Sequence, residues 1–433
     1  MKVLLVGNGA REHAIAENLA RDCDLYCVMS KKNPAMAQLS KEHWICNIED
    51  PDAVRSVIAG KDFDLGFSSP DATLAAGVSD LLAEHGMLVA SPSKAASRIE
   101  WDKSYMRSLH ENYHVGGTPK HEIVTDLKDA ERVIKDYGSV AIKPLGLTGG
   151  KGVKVSGDHF TNIEQKLEYT ASLLEKDGSA LIEEKLVGEE FTLQAFCDGS
   201  GIALMPPVQD HKRAFEGDSG PNTGGMGSYT TGTNLPFLDQ SDLDDAKKII
   251  QDAIYALKKD GHPFKGILYG QFMATKESVK LIEFNARFGD PEAMNVLSLL
   301  EGSLTDVFLS MAEGQLQPPK FSSDCTVVKY LVPDGYPTEP KKDLPVEING
   351  TEIEKTGANI YYASVYENEG KIFTSSSRSF GILGRAQTLD EAEKVAEAAC
   401  SHITGPLWHR KDIGTSALVE RRVAHMRDLR GIE

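Results

Sequence analysis

The sequence predicts an α/β protein of several domains, and three observations predict it. Strand and helix patterns alternate from Met1 to about Glu100. A glycine-rich turn joins two strands between Ser139 and Ser156, and a strand hairpin spans Ile267 to Glu292. At 433 residues the chain is also too long for one ordinary core.

The first strand is Lys2 to Val6, followed by the tight turn Gly7-Asn8-Gly9 and a helix over Glu12 to Arg21, apolar at Ile15, Leu19 and Ala20. Strand, turn and helix in that order aim backbone N–H groups at a helix N-terminus, where an anion can bind. Glu12 stands where a dinucleotide fingerprint has its third glycine, and the second strand, Asp24 to Met29, ends at Met29-Ser30 without a ribose-holding acid. The expectation is a Rossmann-like sheet over residues 1–100 with no nicotinamide site. Leu65 to Ser69 is a further strand, and Ser69-Pro70-Asp71 is either a plain turn or a ligand loop at the carboxyl edge.

Glu100 to Tyr113 reads as one helix carrying Lys103. A smaller segment follows over His121 to Val187. In it the strand Ser139 to Pro144 carries Lys143, the loop Leu145 to Gly150 leads to Lys151-Gly152, and Val153 to Ser156 is the return strand. A Walker loop needs Ser or Thr after its lysine and a helix beyond, so that reading fails here. The pattern fits an ordinary hairpin turn or a flap whose N–H groups and Lys151 close over phosphates. In Leu181 to Glu190 (LIEEKLVGEE), Glu183 and Glu190 flank a linker that suits either solvent or a nucleoside, one acid on the adenine amino group and one on ribose hydroxyls. Gln209 to Tyr229 is polar and turn-rich with no periodicity, and is expected to be a long loop, functional or simply on the surface.

At Leu281 to Glu292 (LIEFNARFGDPE), alternation puts Leu281, Glu283, Asn285 and Arg287 on one face and Ile282, Phe284 and Phe288 on the other. Glu283 and Asn285 offer hard oxygens to a divalent cation, and Arg287 a fixed positive fork to phosphoryl groups; alone, the row equally fits a solvated hairpin face. A helix is expected from Glu292 to about Glu313, then a linker, Gln315 to Lys320. Short strands follow at Thr326 to Leu331, Asn359 to Tyr366, Lys371 to Phe373 and Gly381 to Arg385, with a helix at Leu389 to Ile403. They make a small mixed domain closing one side of the site.

Composition narrows the function. Apolar residues are 41% and net charge is −17, which argues against nucleic acid as a partner. The chain starts on a strand rather than a basic leader, and no apolar run reaches the about 18 residues a membrane span needs. Cys23, Cys27, Cys46, Cys197, Cys325 and Cys400 form no CxxC pair, so free thiols in a reducing cytoplasm are expected.

Lys103, Lys143, GGKGV at Gly149 to Val153, the Glu183/Glu190 linker and EFNAR at Glu283 to Arg287 resemble, in this order, the nucleotide site of ATP-grasp enzymes. QDHKR at Gln209, GPNTGGMG at Gly220 and EFNARFGDPE at Glu283 resemble more specifically the phosphoribosylamine–glycine ligase family. The likeness runs along essentially the whole chain, from GNGAREHA at Gly7 through DGYP at Asp334 to HRKDIG at His409.

The resemblance implies an ATP-grasp core of two α+β lobes, a main lobe over 101–120 and 188–320 and a lid lobe over 121–187, with a C-terminal domain over 321–433. It implies ATP-dependent ligation of glycine to 5-phosphoribosylamine through a glycyl phosphate. ATP would be held by Lys103, Lys143, Gly149, Gly150, Lys151, Gly152, Glu183, Glu184, Leu186 and Glu190, and Mg2+ or Mn2+ by Glu283 and Asn285. Gly9, Ser69, Pro70, Asp71, Pro221, Asn222, Thr223, Gly224, Gly225, Met226, Asp290 and Pro291 would line the substrate pocket, with Arg287 and Asp210 catalytic. A cytoplasmic monomer is expected. Departures are Ser69-Pro70-Asp71 for Gly-Pro-Glu, Gln271 for a small residue, and Ser376-Ser377-Arg378 for Gly-Gly-Arg. Rival readings are a different ATP-grasp ligase and a non-catalytic or dehydrogenase-like nucleotide binder.

Overall fold

The computed structural model describes residues 1–146 and 152–432. The first sheet is parallel, in the order Glu42–Ile45, Asp24–Met29, Lys2–Val6, Leu65–Ser68, Leu88–Val89. Its central strand is buried on both faces, which is why it reads as a continuous apolar run. Val3 and Leu5 pack with Ala14 and Ile15, whereas Leu4 and Val6 pack with Val54, Ile58 and Val78. The first helix is Ala10–Leu19, starting two residues before the expected Glu12, because the Glu12 carboxylate turns back to cap the Gly9 N–H.

Glu100 to Tyr113 is two helices, Lys94–Trp101 and Lys103–Tyr113. Asp102 breaks the run by leaving helical geometry and accepting the Tyr105 N–H at 3.0 Å, as an N-cap does. A four-stranded antiparallel sheet follows, ordered His121–Val124, Ala180–Glu184, Val140–Lys143, Lys154–Val155. Helices Leu127–Tyr137 and Ile163–Asp177 cover it and share its own core around Val133, Ile142 and Leu173.

The next sheet is ordered Ile202–Leu204, Glu189–Asp198, Lys265–Ala274, Val279–Asn285. Its last two strands are the expected hairpin, but the register shifts: Gln271 faces Glu283 while Phe272 faces Leu281. Ile282 is therefore an extra residue in a bulge, and Leu281 joins Phe284 on the core side rather than standing beside Glu283. The 20-residue helix Gln240–Lys259, apolar at Ala246, Ile249, Ile250, Ala253 and Leu257, packs on this sheet and is missing from the expectations above.

Gln209 to Tyr229 is not an unstructured loop. Arg213–Phe215 and Ser219–Asn222 pair as a hairpin, and Gln209–Asp210 and Gly227–Thr230 pair with each other. Gly227–Thr230 then pairs with Cys325–Pro333, so these short strands continue a sheet that runs on to Phe380–Ala386 and Asn359–Tyr362. The expected helix after Glu292 is likewise two, Glu292–Leu299 and Leu304–Glu313, separated where Leu300–Glu301 pairs with Lys320–Phe321. Asn359 to Tyr366 splits into Asn359–Tyr362 and Val365–Asn368, which belong to different sheets, and the last helix of the chain is Ser416–Arg430. Among the described residues no helix is long and apolar enough to cross a membrane, and all six cysteines are free thiols.

Candidate functional site

A cavity of about 670 Å³ lies where the two antiparallel sheets, the first sheet and the C-terminal segment meet. An acidic chain here gathers its cations: Arg11, Lys103, Lys143, Lys212, Arg287, Arg378 and Arg422 all line it. Of the residues singled out above, Asp71, Glu183, Glu184, Leu186, Glu190, Asp210, Asn222, Thr223, Gly224, Glu283, Asn285 and Asp290 line it too.

The hairpin strand Val279–Asn285 supplies the floor. Because the bulge falls before it, Glu283 turns to the cavity beside Asn285. Glu283 makes no hydrogen bond or ion pair among the described residues; burial pushes its carboxyl up, but Lys212, Lys103 and Lys143 outweigh this and hold it below the usual range. An ionised, unpartnered carboxylate next to an amide oxygen suits a divalent cation that completes its shell with phosphates and water. No cluster of three or more His, Cys, Asp or Glu with metal-holding geometry occurs among the described residues.

Arg287 lies just past the strand, with Nη2 donating to Asn285 Oδ1 at 3.2 Å and Nη1 to the Phe288 carbonyl at 3.2 Å. Its Nε is 3.3 Å from Glu100 Oε1 at an angle that makes an ion pair without a hydrogen bond. Glu100 also accepts the Ala286 N–H at 2.8 Å, and burial, opposed by Arg287, pushes its carboxyl up to about 7. The sequence reading missed Glu100 because nothing local marks it; its partners lie on the far hairpin.

On the roof, Lys103 donates to the Gly146 carbonyl at 3.2 Å, and Lys143 pairs with Glu183 at 2.6 Å. Gly149, Gly150 and Lys151 lie outside the described residues; Gly152 lies within them but does not line the cavity. The Glu183 side chain lines the cavity while held between Lys143 and Arg107. Glu184 accepts the Lys120 N–H at 2.8 Å, which fixes the start of the linker. Glu190 is held by Gln271 Nε2 at 2.6 Å, with Lys212 at 3.7 Å. Gln271, the departure noted above, is thus a support for Glu190.

At the inner end, Asp210 and Glu292 are two carboxyls that burial pushes up; the Glu292 charge raises Asp210 further, while the Tyr269 hydroxyl, Lys212 and Arg287 work against the rise at Glu292. Tyr269 donates to Glu292 Oε1 at 2.8 Å, while Asp210 Oδ1 is buried with no partner. Gly225, at φ +105°, closes this corner: a Cβ there would sit 2.6 Å from Asp210 Oδ1 and 2.8 Å from Pro291 Cδ. Arg378 donates to the Gly225 carbonyl at 2.9 Å and pairs with Asp290 at 3.1 Å, so it braces the glycine run from the C-terminal segment.

The other residues expected at the substrate pocket take these places. Met226 is fully buried in the core, and Pro221 is on the exposed outer strand of the hairpin. Pro291 packs behind Gly225, and Pro70 is the N-cap of the helix Asp71–Ala76. The Ser69 hydroxyl donates to Glu12 Oε1 at 2.6 Å, and the Gly9 N–H to Glu12 Oε2 at 2.6 Å. Glu12, locked also by Arg11, thus fills the helix N-terminus that a phosphate would otherwise use. Gly9 borders an adjoining pocket of about 200 Å³ with Asn8, Ser364 and Ser377, which shares Asp290 and Arg378 with the main cavity.

Comparison with known proteins agrees along the chain. Models of phosphoribosylglycinamide synthetase match in three parts: the N domain over residues 1–100, the ATP-grasp (A) domain over 101–293 and the C domain over 326–416. The phosphoribosylamine–glycine ligase of Methanosarcina barkeri is 49% identical, covering 100% of each chain. Among solved structures, the phosphoribosylamine–glycine ligase of Thermotoga maritima superposes with a TM-score of 0.82 at 24% identity, over 95% of this chain and 100% of that one. A biotin carboxylase from Campylobacter jejuni shares the fold with a TM-score of 0.71 at 15% identity, over 97% and 95% of the two chains.

Proposed function

The chain belongs to the phosphoribosylglycinamide synthetase family, and from that premise we propose how its cavity carries out the family's reaction. It catalyses the ATP-dependent ligation of glycine to 5-phosphoribosylamine, giving glycinamide ribonucleotide, ADP and phosphate in purine biosynthesis. In our reading a carboxylate oxygen of glycine bonds to the γ-phosphorus as the bond to ADP breaks, and the amine nitrogen then attacks the glycyl carbonyl. Phosphate leaves and the nitrogen loses a proton.

The residues divide this work by place. Lys103 and Lys143 neutralise phosphate oxygens, and Gly149, Gly150, Lys151 and Gly152 are assigned to the same phosphates. The linker backbone from Glu184 to Leu186 takes the adenine, and Glu190, steadied by Gln271, takes the ribose. Glu283 and Asn285 would hold Mg2+ or Mn2+, which supplies charge neutralisation across the phosphates when bound. Arg287, aligned by Glu100, meets the charge that develops on the transferring phosphoryl. Asp210, whose carboxyl is pushed up by burial, is suited to take the proton the amine releases. Asp71, Asn222, Thr223, Gly224 and Asp290 surround the glycine and the phosphoribosylamine.

The observation that carries this reading is the row Glu283, Asn285, Arg287 opening into the same cavity as Lys103 and Lys143. ADP release measured with Mg2+, ATP, glycine and freshly made phosphoribosylamine, each omitted in turn, tests it. Full release only with all of them present is expected. Release with another acid in place of glycine, or with no amine required, would retain ATP-grasp chemistry and overturn this assignment of the pocket. We also read the protein as a cytoplasmic monomer, the free thiols suiting a reducing compartment. Light scattering should then give a mass near 47.2 kDa.

A further inference from the structure

Arg107 is not part of the cavity lining, yet it is among the most buried charges in the protein, 1% exposed. It stands one helical turn after Lys103 on Lys103–Tyr113, so one face of that helix carries both. Its Nε donates to Glu183 Oε1 at 2.9 Å, and its Nη2 donates to the same oxygen. The other carboxylate oxygen, Oε2, takes Lys143 Nζ at 2.6 Å. Nη2 also reaches the Ile282 carbonyl at 3.4 Å, in the bulge next to Glu283. Glu183 is thus an anion shared between two cations, one facing the cavity and one behind it.

The charge count gives this arrangement a purpose. With Glu183 paired to Lys143 alone, the pair would carry no net charge. With Arg107 on the opposite oxygen, the buried triad keeps one unit of positive charge, and the cation of it that lines the cavity is Lys143. A ligand phosphate in the cavity therefore meets a lysine whose charge has not been cancelled. The Ile282 contact adds a mechanical link between the lid sheet, which carries Lys143 and Glu183, and the strand that carries Glu283.

We propose that Arg107 is a positioning residue for ATP: by occupying one oxygen of Glu183 it keeps a net positive charge on the triad whose lysine, Lys143, lines the cavity. This rests on the reading that Lys143 binds phosphate. The test compares Arg107→Met, Arg107→Lys and Lys143→Met in the full chain, by steady-state kinetics for ATP and glycine, by ATP binding across a salt series, and by thermal melting. Arg107→Met is expected to raise KM for ATP by about tenfold or more, what losing a charge-assisted contact to phosphate costs. KM for glycine should stay within about twofold, the salt dependence of ATP binding should flatten by about one charge, and Arg107→Lys should recover most of the loss. Equal rises in both KM values, or a loss that follows the fall in melting temperature and is not recovered by lysine, would make Arg107 a purely structural residue and overturn the proposal. Unchanged ATP kinetics in Arg107→Met beside impaired Lys143→Met would overturn it too. If Lys143→Met itself leaves ATP binding intact, the phosphate role of Lys143 is what fails. Should Arg107→Met not fold, the proposal stands or falls on Arg107→Lys, which must keep the ATP salt dependence.

Discussion

Replacing Glu100 by glutamine separates the site's electrostatics from its packing. The side chain is 7% exposed, accepts the Ala286 N–H at 2.8 Å and faces Arg287 Nε at 3.3 Å. Burial raises its carboxyl from 4.5 to about 7, with Arg287 pulling the other way and Asp71 adding to the rise. Between those two values the native protein keeps a proton that the unfolded chain has released. Unfolding free energy therefore falls as pH rises through this window, by roughly 3 kcal/mol in all, and is level above it. Glutamine carries no such proton, so the variant lacks this slope. Urea unfolding from about pH 5 to about pH 8 should show the two proteins similar at the acid end and Glu100→Gln more stable by up to about 3 kcal/mol at the alkaline end. Turnover should fall at the same time, because Arg287 loses its only ionic partner within 4 Å among the described residues. A variant less stable than wild type at pH 8, or a stability difference that does not change with pH, would refute the reasoning.

Three further outcomes can be checked. Arg287→Ala should lower ligation by roughly 10³ to 10⁵ with the fold retained, the range arginines command in other phosphoryl transfers; near-normal turnover contradicts the role given to it. Gly225→Ala forces a Cβ to 2.6 Å from Asp210 Oδ1 at φ +105° and should destabilise by about 1–3 kcal/mol while lowering turnover, so wild-type kinetics would show that this corner is not part of the chemistry. Glu283→Gln should raise the Mg2+ concentration for half-maximal rate by about tenfold or more, and an unshifted metal titration would remove Glu283 from the cation site.

Much of this molecule was legible in its residues, for identifiable reasons. Asp24–Met29 has the expected bounds because a strand buried in a parallel sheet reads as an apolar run between polar ends. The hairpin that bears Glu283 was legible from its turn, but the bulge at Ile282 was not, since alternation in one strand does not reveal an extra residue opposite its neighbour. Asp102 hid a helix break because a capping side chain looks like any surface acid until the chain bends around it. Gln209 to Tyr229 misled for a different reason: Gly227–Thr230 owes its strand geometry to Cys325–Pro333, roughly a hundred residues later, which no local window contains. In the site, the residues that would touch ligands carry motif signals. The ones that hold them, Glu100 on Arg287, Gln271 on Glu190 and Arg107 on Glu183, are single residues whose meaning comes from distant partners.

The sheet shared by Gly227–Thr230 and Cys325–Pro333 also bears on how the protein could be divided. Four consecutive residue pairs, Gly227 with Lys329 through Thr230 with Thr326, join the strand after the glycine run to the C-terminal segment. A gene split near residue 320 would give two polypeptides with raw complementary edges, the first losing the strand that pairs with Gly227–Thr230 and the second exposing the edge of Cys325–Pro333 that those residues cover. Each half alone would seek a foreign strand, whereas halves made together would have one mutual seam to close. The same seam that makes the C-terminal segment inseparable from the pocket would make this chain a candidate for reconstitution from fragments.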